Sequence, residues 1–188
     1  MTRIEGRCRF NRTREDVFDF LADPRNEPSY NTMIVGAGKT TPGPIGAGTR
    51  FTQQTKTLGR VSEVVIELLE CRRPDHLSWH ITSSGMDVRG RQDLVEDRGG
   101  TEVHWVWDFT ARGPLRLLAP LVGLGGRRLE RRVWSNMQQY LDSTAPGSNQ
   151  PAVTSPTDTA VTQEQRTGRS KGAAVTDPVE QPTDEGVR

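Results

Sequence analysis

Three histidines, His76, His80 and His104, are the residues whose side chains change charge nearest neutral pH. Their spacing argues against a catalytic or metal role. His80 and His104 lie in segments where apolar and polar residues alternate, and both fall on the face opposite the tryptophans; His76 has the same parity. No Cys/His cluster has zinc-ligand spacing, and Cys8 and Cys71 form no C-x-x-C motif. They read as free, buried thiols in a reducing cytoplasm. Gly36-Ala37-Gly38 and Gly46-Ala47-Gly48 precede no helix and read as turns rather than phosphate cradles. There is no G-x-S-x-G elbow. These observations predict no catalytic residue, no metal and no cofactor.

Binding chemistry is better represented. Val103, Trp105, Trp107 and Phe109 share one face of a segment whose other face carries Glu102, His104 and Asp108. Leu77, Trp79 and Ile81 alternate with Ser78, His80 and Thr82, and Met86, Val88, Gly90, Gln92 and Leu94 alternate with charged residues. Phe51 and Gln53 share a face of an earlier segment. Large rings on one face of a small domain point to a partly open interior that admits an apolar molecule. The polar residues on that face, Thr49, Gln53, Thr55, Ser83 and Gln92, are neutral, so they can orient a carbonyl or hydroxyl but are weak acids and bases. Tyr30, Met33 and Met137 complete the expected lining as adaptable fillers, with Leu118, Leu121, Leu129 and Val133 from a final helix.

The elements that must hold these side chains follow from periodicity. Ile4, Gly6, Cys8 and Phe10 alternate as a first strand. Thr13, with acids after it, starts a helix whose stripe is Val17, Phe18, Phe20 and Leu21, and Asp23-Pro24 ends it. A further short helical turn fits Pro24 to Tyr30. A short strand at Met33 to Val35 leads into a long Gly/Pro connection, Gly36 to Gly48. Five strands follow, beginning near Ala47, Val61, Leu77, Met86 and Thr101, the second with Val64, Ile66 and Leu68 facing one way. The last helix opens at Pro114 and carries Leu118, Leu121, Val122, Leu129, Val133, Asn136 and Tyr140 at three- and four-residue spacing. A sheet with one apolar face and a helix with one apolar stripe must cover each other.

Four local patterns resemble the polyketide cyclase, START and pollen-allergen-like (SRPBCC) superfamily. They are Val17-Phe18-Asp19-Phe20-Leu21-Ala22-Asp23-Pro24-Arg25-Asn26 with Tyr30-Asn31, Gly43 to Phe51, Gly100 to Trp105, and Gly113 to Leu121. The resemblance implies an α+β helix-grip fold over residues 1–142: a curved antiparallel sheet of about six or seven strands wrapped round a long C-terminal helix, with two short helices after the first strand. It also implies either a carrier of lipid, polyketide or isoprenoid-like molecules or a polyketide cyclase/dehydratase, the residues themselves leaning towards non-enzymatic binding.

From Ser143 to Arg188 Val is the only larger aliphatic, and this composition predicts a disordered tail. Its four basic and six acidic residues leave +3 of the chain's +1 net charge on the domain, too little to favour nucleic acid. No stretch reaches a membrane span, which predicts no stable membrane insertion, and the polar start lacks a signal-peptide core, which predicts a cytoplasmic protein. Arg127, Arg128, Arg131 and Arg132 form a charged run on the last helix. A third reading is therefore an interaction module recruiting a protein partner through Arg127, Arg128 and Arg131 or through the tail.

Overall fold

Alternation resolves into seven strands: β1 (Thr2–Phe10), β2 (Ile34–Lys39), β3 (Arg50–Thr57), β4 (Arg60–Arg72), β5 (His76–Thr82), β6 (Met86–Asp97) and β7 (Gly100–Ala111). The helices are α1 (Arg14–Leu21), a 3-10 turn (Pro24–Ser29) and α2 (Ala119–Ser143). The structure is a computed structural model that describes residues 1–57, 59–113 and 119–144, with helix side chains at 126 and from 128 onward. The tail expected to be disordered lies outside the described residues, apart from Ser143 and Thr144.

The strands make one curved antiparallel sheet in the order β1-β7-β6-β5-β4-β3-β2. The first strand reaches β7 because α1 and the 3-10 turn carry the chain to the far edge, where β2 begins the meander. The two-residue link Arg98-Gly99 has positive φ at both positions (48° and 74°), the hairpin geometry that matches strand twist. Val64, Ile66 and Leu68 face inward as expected, and a bulge between Leu68 and Glu70 leaves Leu69 exposed. One expectation is corrected. The strand placed at Met33 to Val35 is β2, which runs to Lys39 and pairs Ala37 with Gln53 and Lys39 with Phe51. An edge strand needs only backbone pairing, so Gly36 and Gly38 do not stop it.

Thr13 caps α1, its hydroxyl accepting from the Asp16 N–H at 3.2 Å. Asp23 caps the 3-10 turn through the Arg25 N–H, and the Asn26 side chain donates to the Phe20 carbonyl at 3.0 Å, locking turn to helix. α2 is tied down by its C-terminal half. Gln138 donates to the Arg9 carbonyl at 2.8 Å and Asn136 to the Tyr30 carbonyl at 3.1 Å. Arg12 donates to the Leu141 and Thr144 carbonyls, satisfying the helix end.

The buried face of α2 differs from the expected stripe. Trp134, Met137 and Leu141 are buried, whereas Leu129 is 41% exposed. Trp134 stacks on Trp105 with ring centres 5.5 Å apart and planes 3° from parallel. The stripe is rotated because covering two indoles removes more apolar surface from water than covering Leu129.

Candidate functional site

Between the sheet and α2 lies a cavity of about 300 Å3, at the small end of ligand sites. Its walls are Trp79 and Ile81 from β5, Met86, Val88 and Gln92 from β6, Trp107 and Phe109 from β7, and Val133, Trp134 and Met137 from α2. Leu21, Tyr30 and Met33 close one side, and Leu129 stands at its rim.

Twelve of the expected lining residues border this space: Tyr30, Met33, Gln53, Trp79, Ile81, Val88, Gln92, Trp107, Phe109, Leu129, Val133 and Met137. Three do not. Phe51 and Leu94 are buried in the core behind the wall, and Trp105 lies beneath Trp134, facing a second cavity between β1 and α2. Leu118 lies outside the described residues, as does the Leu121 side chain. Parity puts a residue on the inner face; the helix decides how much of that face is filled.

The three histidines stay out of the cavity. Each meets a carboxylate: His76 with Asp93 (2.6 Å), His80 with Asp87 (3.0 Å) and His104 with Glu102 (2.5 Å).

The expectation of a purely neutral interior is overturned. Glu27 and Glu130 both line the cavity. Glu27 comes from the 3-10 turn. Its two oxygens accept from Gln53 Nε2 (2.7 Å) and Asn31 Nδ2 (2.8 Å). Neither amide can flip without loss: Gln53 also donates to the Pro24 carbonyl, and Asn31 Oδ1 accepts from the Met33 N–H. Burial raises the Glu27 pKa, and these two donors oppose the rise. Glu130, on α2, accepts from Trp134 Nε1 at 3.2 Å. Burial lifts it to about 7; the Trp134 bond opposes the rise and the charge of Glu27 adds to it. Tyr30 is raised well above its usual value by burial and by both carboxyls. These three residues therefore form one titratable end of a mostly apolar space.

The indoles complete the pattern. Trp79 donates to Gln92 Oε1 at 3.0 Å. Trp107 Nε1 is buried without a formed hydrogen bond, though near enough to Glu130 to favour its ionised form. Glu130 had a signal in the sequence, standing three, four and seven residues before Val133, Trp134 and Met137. Glu27 had none, since a 3-10 turn carries no usable period.

Cys8 and Cys71 are unpaired thiols, half-buried rather than fully buried. Burial pushes Cys8 up to about 11, and Cys71 rises for the same reason. At about pH 8 roughly one Cys8 in a thousand is thiolate. Labelling with a chromogenic disulfide reagent is expected to be at least about a hundredfold slower in the native protein than in urea for Cys8; equal rates would contradict this environment.

Arg128 and Arg131 are exposed on α2, and the Arg127 side chain lies outside the described residues. Among the described residues no helix is long and apolar enough to cross a membrane.

A family model described as polyketide cyclase / dehydrase and lipid transport matches residues 1–145. No curated protein matches the sequence. Among solved structures, the chain is similar to a START superfamily protein from Mycobacterium smegmatis (TM-score 0.65, 10% identity, 76% of this chain and 98% of that one). It is also similar to TTHA0849 from Thermus thermophilus (0.61, 13%, 76% and 99%) and to Ara h 8.0201 (0.58, 14%, 76% and 98%). At these identities the likeness shows the shared fold.

Proposed function

Given that the chain belongs to the polyketide cyclase / dehydrase and lipid transport family, we propose that it binds a small amphipathic molecule in the cavity between sheet and α2. The observation that carries this reading is the composition of that space, apolar and aromatic over most of its wall, with neutral polar groups at Thr55, Ser83 and Gln92 and titratable ones at Glu27, Tyr30 and Glu130 beside Asn31 and Gln53. An oily body gains about 25 cal/mol for each Å2 removed from water, and one polar group meets the carboxyl end. The working compartment in this reading is the cytoplasm, where both thiols stay reduced.

The test is a titration of the purified full chain with 1-octanol, followed by quenching of tryptophan fluorescence, since Trp79, Trp107 and Trp134 border the cavity. One saturable site is expected. Ile81→Trp, which fills the cavity from β5, should weaken binding at least about tenfold. No saturable change, or one indifferent to Ile81→Trp, would remove the reading.

One observation favours a second reading, an acid–base enzyme of the cyclase/dehydratase type. A carboxyl held near 7 is matched to proton transfer at neutral pH. On this reading Glu130→Gln abolishes turnover of a polyketide-like substrate while octanol still binds.

A further inference from the structure

Among the described residues, the cavity walls carry acidic groups with no basic group to match them. Glu27 and Glu130 both face the cavity, and no Lys, Arg or His among the described residues lines it. Among the described residues, the hydrogen bonds to the two carboxyls come from neutral donors: Gln53 and Asn31 on Glu27, Trp134 on Glu130. Such donors soften the burial of a negative charge but do not neutralise it. A second and independent sign that an occupant completes the site is Trp107 Nε1, buried beside Glu130 without a partner. Ionisation makes Glu130 a stronger acceptor for that N–H, and a nearby cation is what would hold Glu130 ionised in an apolar space. Tyr30, Trp79, Trp107 and Trp134 also line the space, and aromatic rings attract cations to their faces.

We propose that the natural occupant is a lipophilic amine, its ammonium seated between Glu27 and Glu130 and its apolar body against Trp79, Trp107 and Phe109. The inference rests on the cavity reading above and narrows it: fatty acids and other anions are rejected by the carboxyls, and neutral alcohols bring them a hydroxyl without the charge that would offset theirs. Among the described residues, the titratable groups lining the cavity are Tyr30 beside the turn and the two glutamates themselves; the sheet residues contribute only neutral polar groups, Gln53, Thr55, Ser83 and Gln92. Amine binding therefore requires Glu130 to release its proton and tightens as pH rises from about 6 to about 8.

Calorimetric titration of the full chain with octylamine, 1-octanol and octanoic acid tests this. At about pH 8 octylamine should bind at least about tenfold tighter than octanol, and octanoic acid more weakly than either. Glu130→Gln should cost octylamine about tenfold or more and octanol clearly less, with a cooperative melting transition of the variant showing that it is folded. Glu27→Gln should behave alike. The proposal is overturned if octanol or octanoic acid equals octylamine, or if neither variant changes the amine; the cavity reading then stands on octanol alone. If none of the three binds, both fall.

Discussion

Replacing Glu130 by glutamine raises the melting temperature of the ligand-free chain by about 5–10 °C at about pH 8 and leaves it nearly unchanged at about pH 4. The folded protein holds the Glu130 proton up to about 7, whereas the unfolded chain releases it near 4.5. Between those values the folded state binds the extra proton, so stability falls as pH rises. The loss is complete above about 7 and amounts to roughly 3 kcal/mol. Glutamine keeps an oxygen for the Trp134 N–H and carries no charge, so it escapes the loss. Differential scanning calorimetry at the two pH values reads the effect. A destabilised variant at pH 8, or the same shift at both, would mean that Glu130 is not held protonated by its surroundings. A site residue that weakens its own fold is what a binding function predicts, because the same buried carboxyl is the feature that a ligand satisfies.

Gly90→Ala is expected to cost about 2–3 kcal/mol and to abolish octanol binding. Gly90 on β6 sits in register between Trp79 on β5 and Trp107 on β7. The Trp107 ring lies directly over it: a Cβ there would come within 1.8 Å of Cζ3 and 2.0 Å of Cε3. Neither distance is sustainable, so the ring must swing away, and the neighbouring space is the cavity that it borders. Urea unfolding reads the stability and tryptophan quenching reads the site. A variant with unchanged stability and binding would show that Trp107 does not rest on the glycine.

Gly90 also illustrates how much was legible in advance. The alternation Met86, Val88, Gly90, Gln92 placed it on the inner face, and the same rule placed Trp79, Trp107 and Phe109 there. Period-two patterning reports the side of a sheet, and six of the seven strands were recovered on that basis, whereas most of the glycine-rich β2 was read as a connection. It does not report position along the strand. Trp105 and Trp107 have identical parity, yet Trp134 covers one and the cavity opens on the other. The phase of α2 was harder still, because Leu129, Val133 and Tyr140 compose a plausible stripe by themselves. Only the fit of Trp134 on Trp105 turns the helix to bury Met137 and Leu141 and bring Glu130 inward. Glu27 depends on Gln53 reaching it across 26 positions, a pairing that local pattern does not encode.

Trp134 borders both hollows of the domain, the one holding the carboxyls and the one beside β1. Its N–H serves Glu130, its face rests on Trp105, and its carbonyl meets Cys8 Sγ at 4.0 Å. A single indole is thus a party wall. Bulk added on the β1 side presses on the same ring that fixes the acid on the other, so the two chambers share one boundary and cannot be reshaped independently.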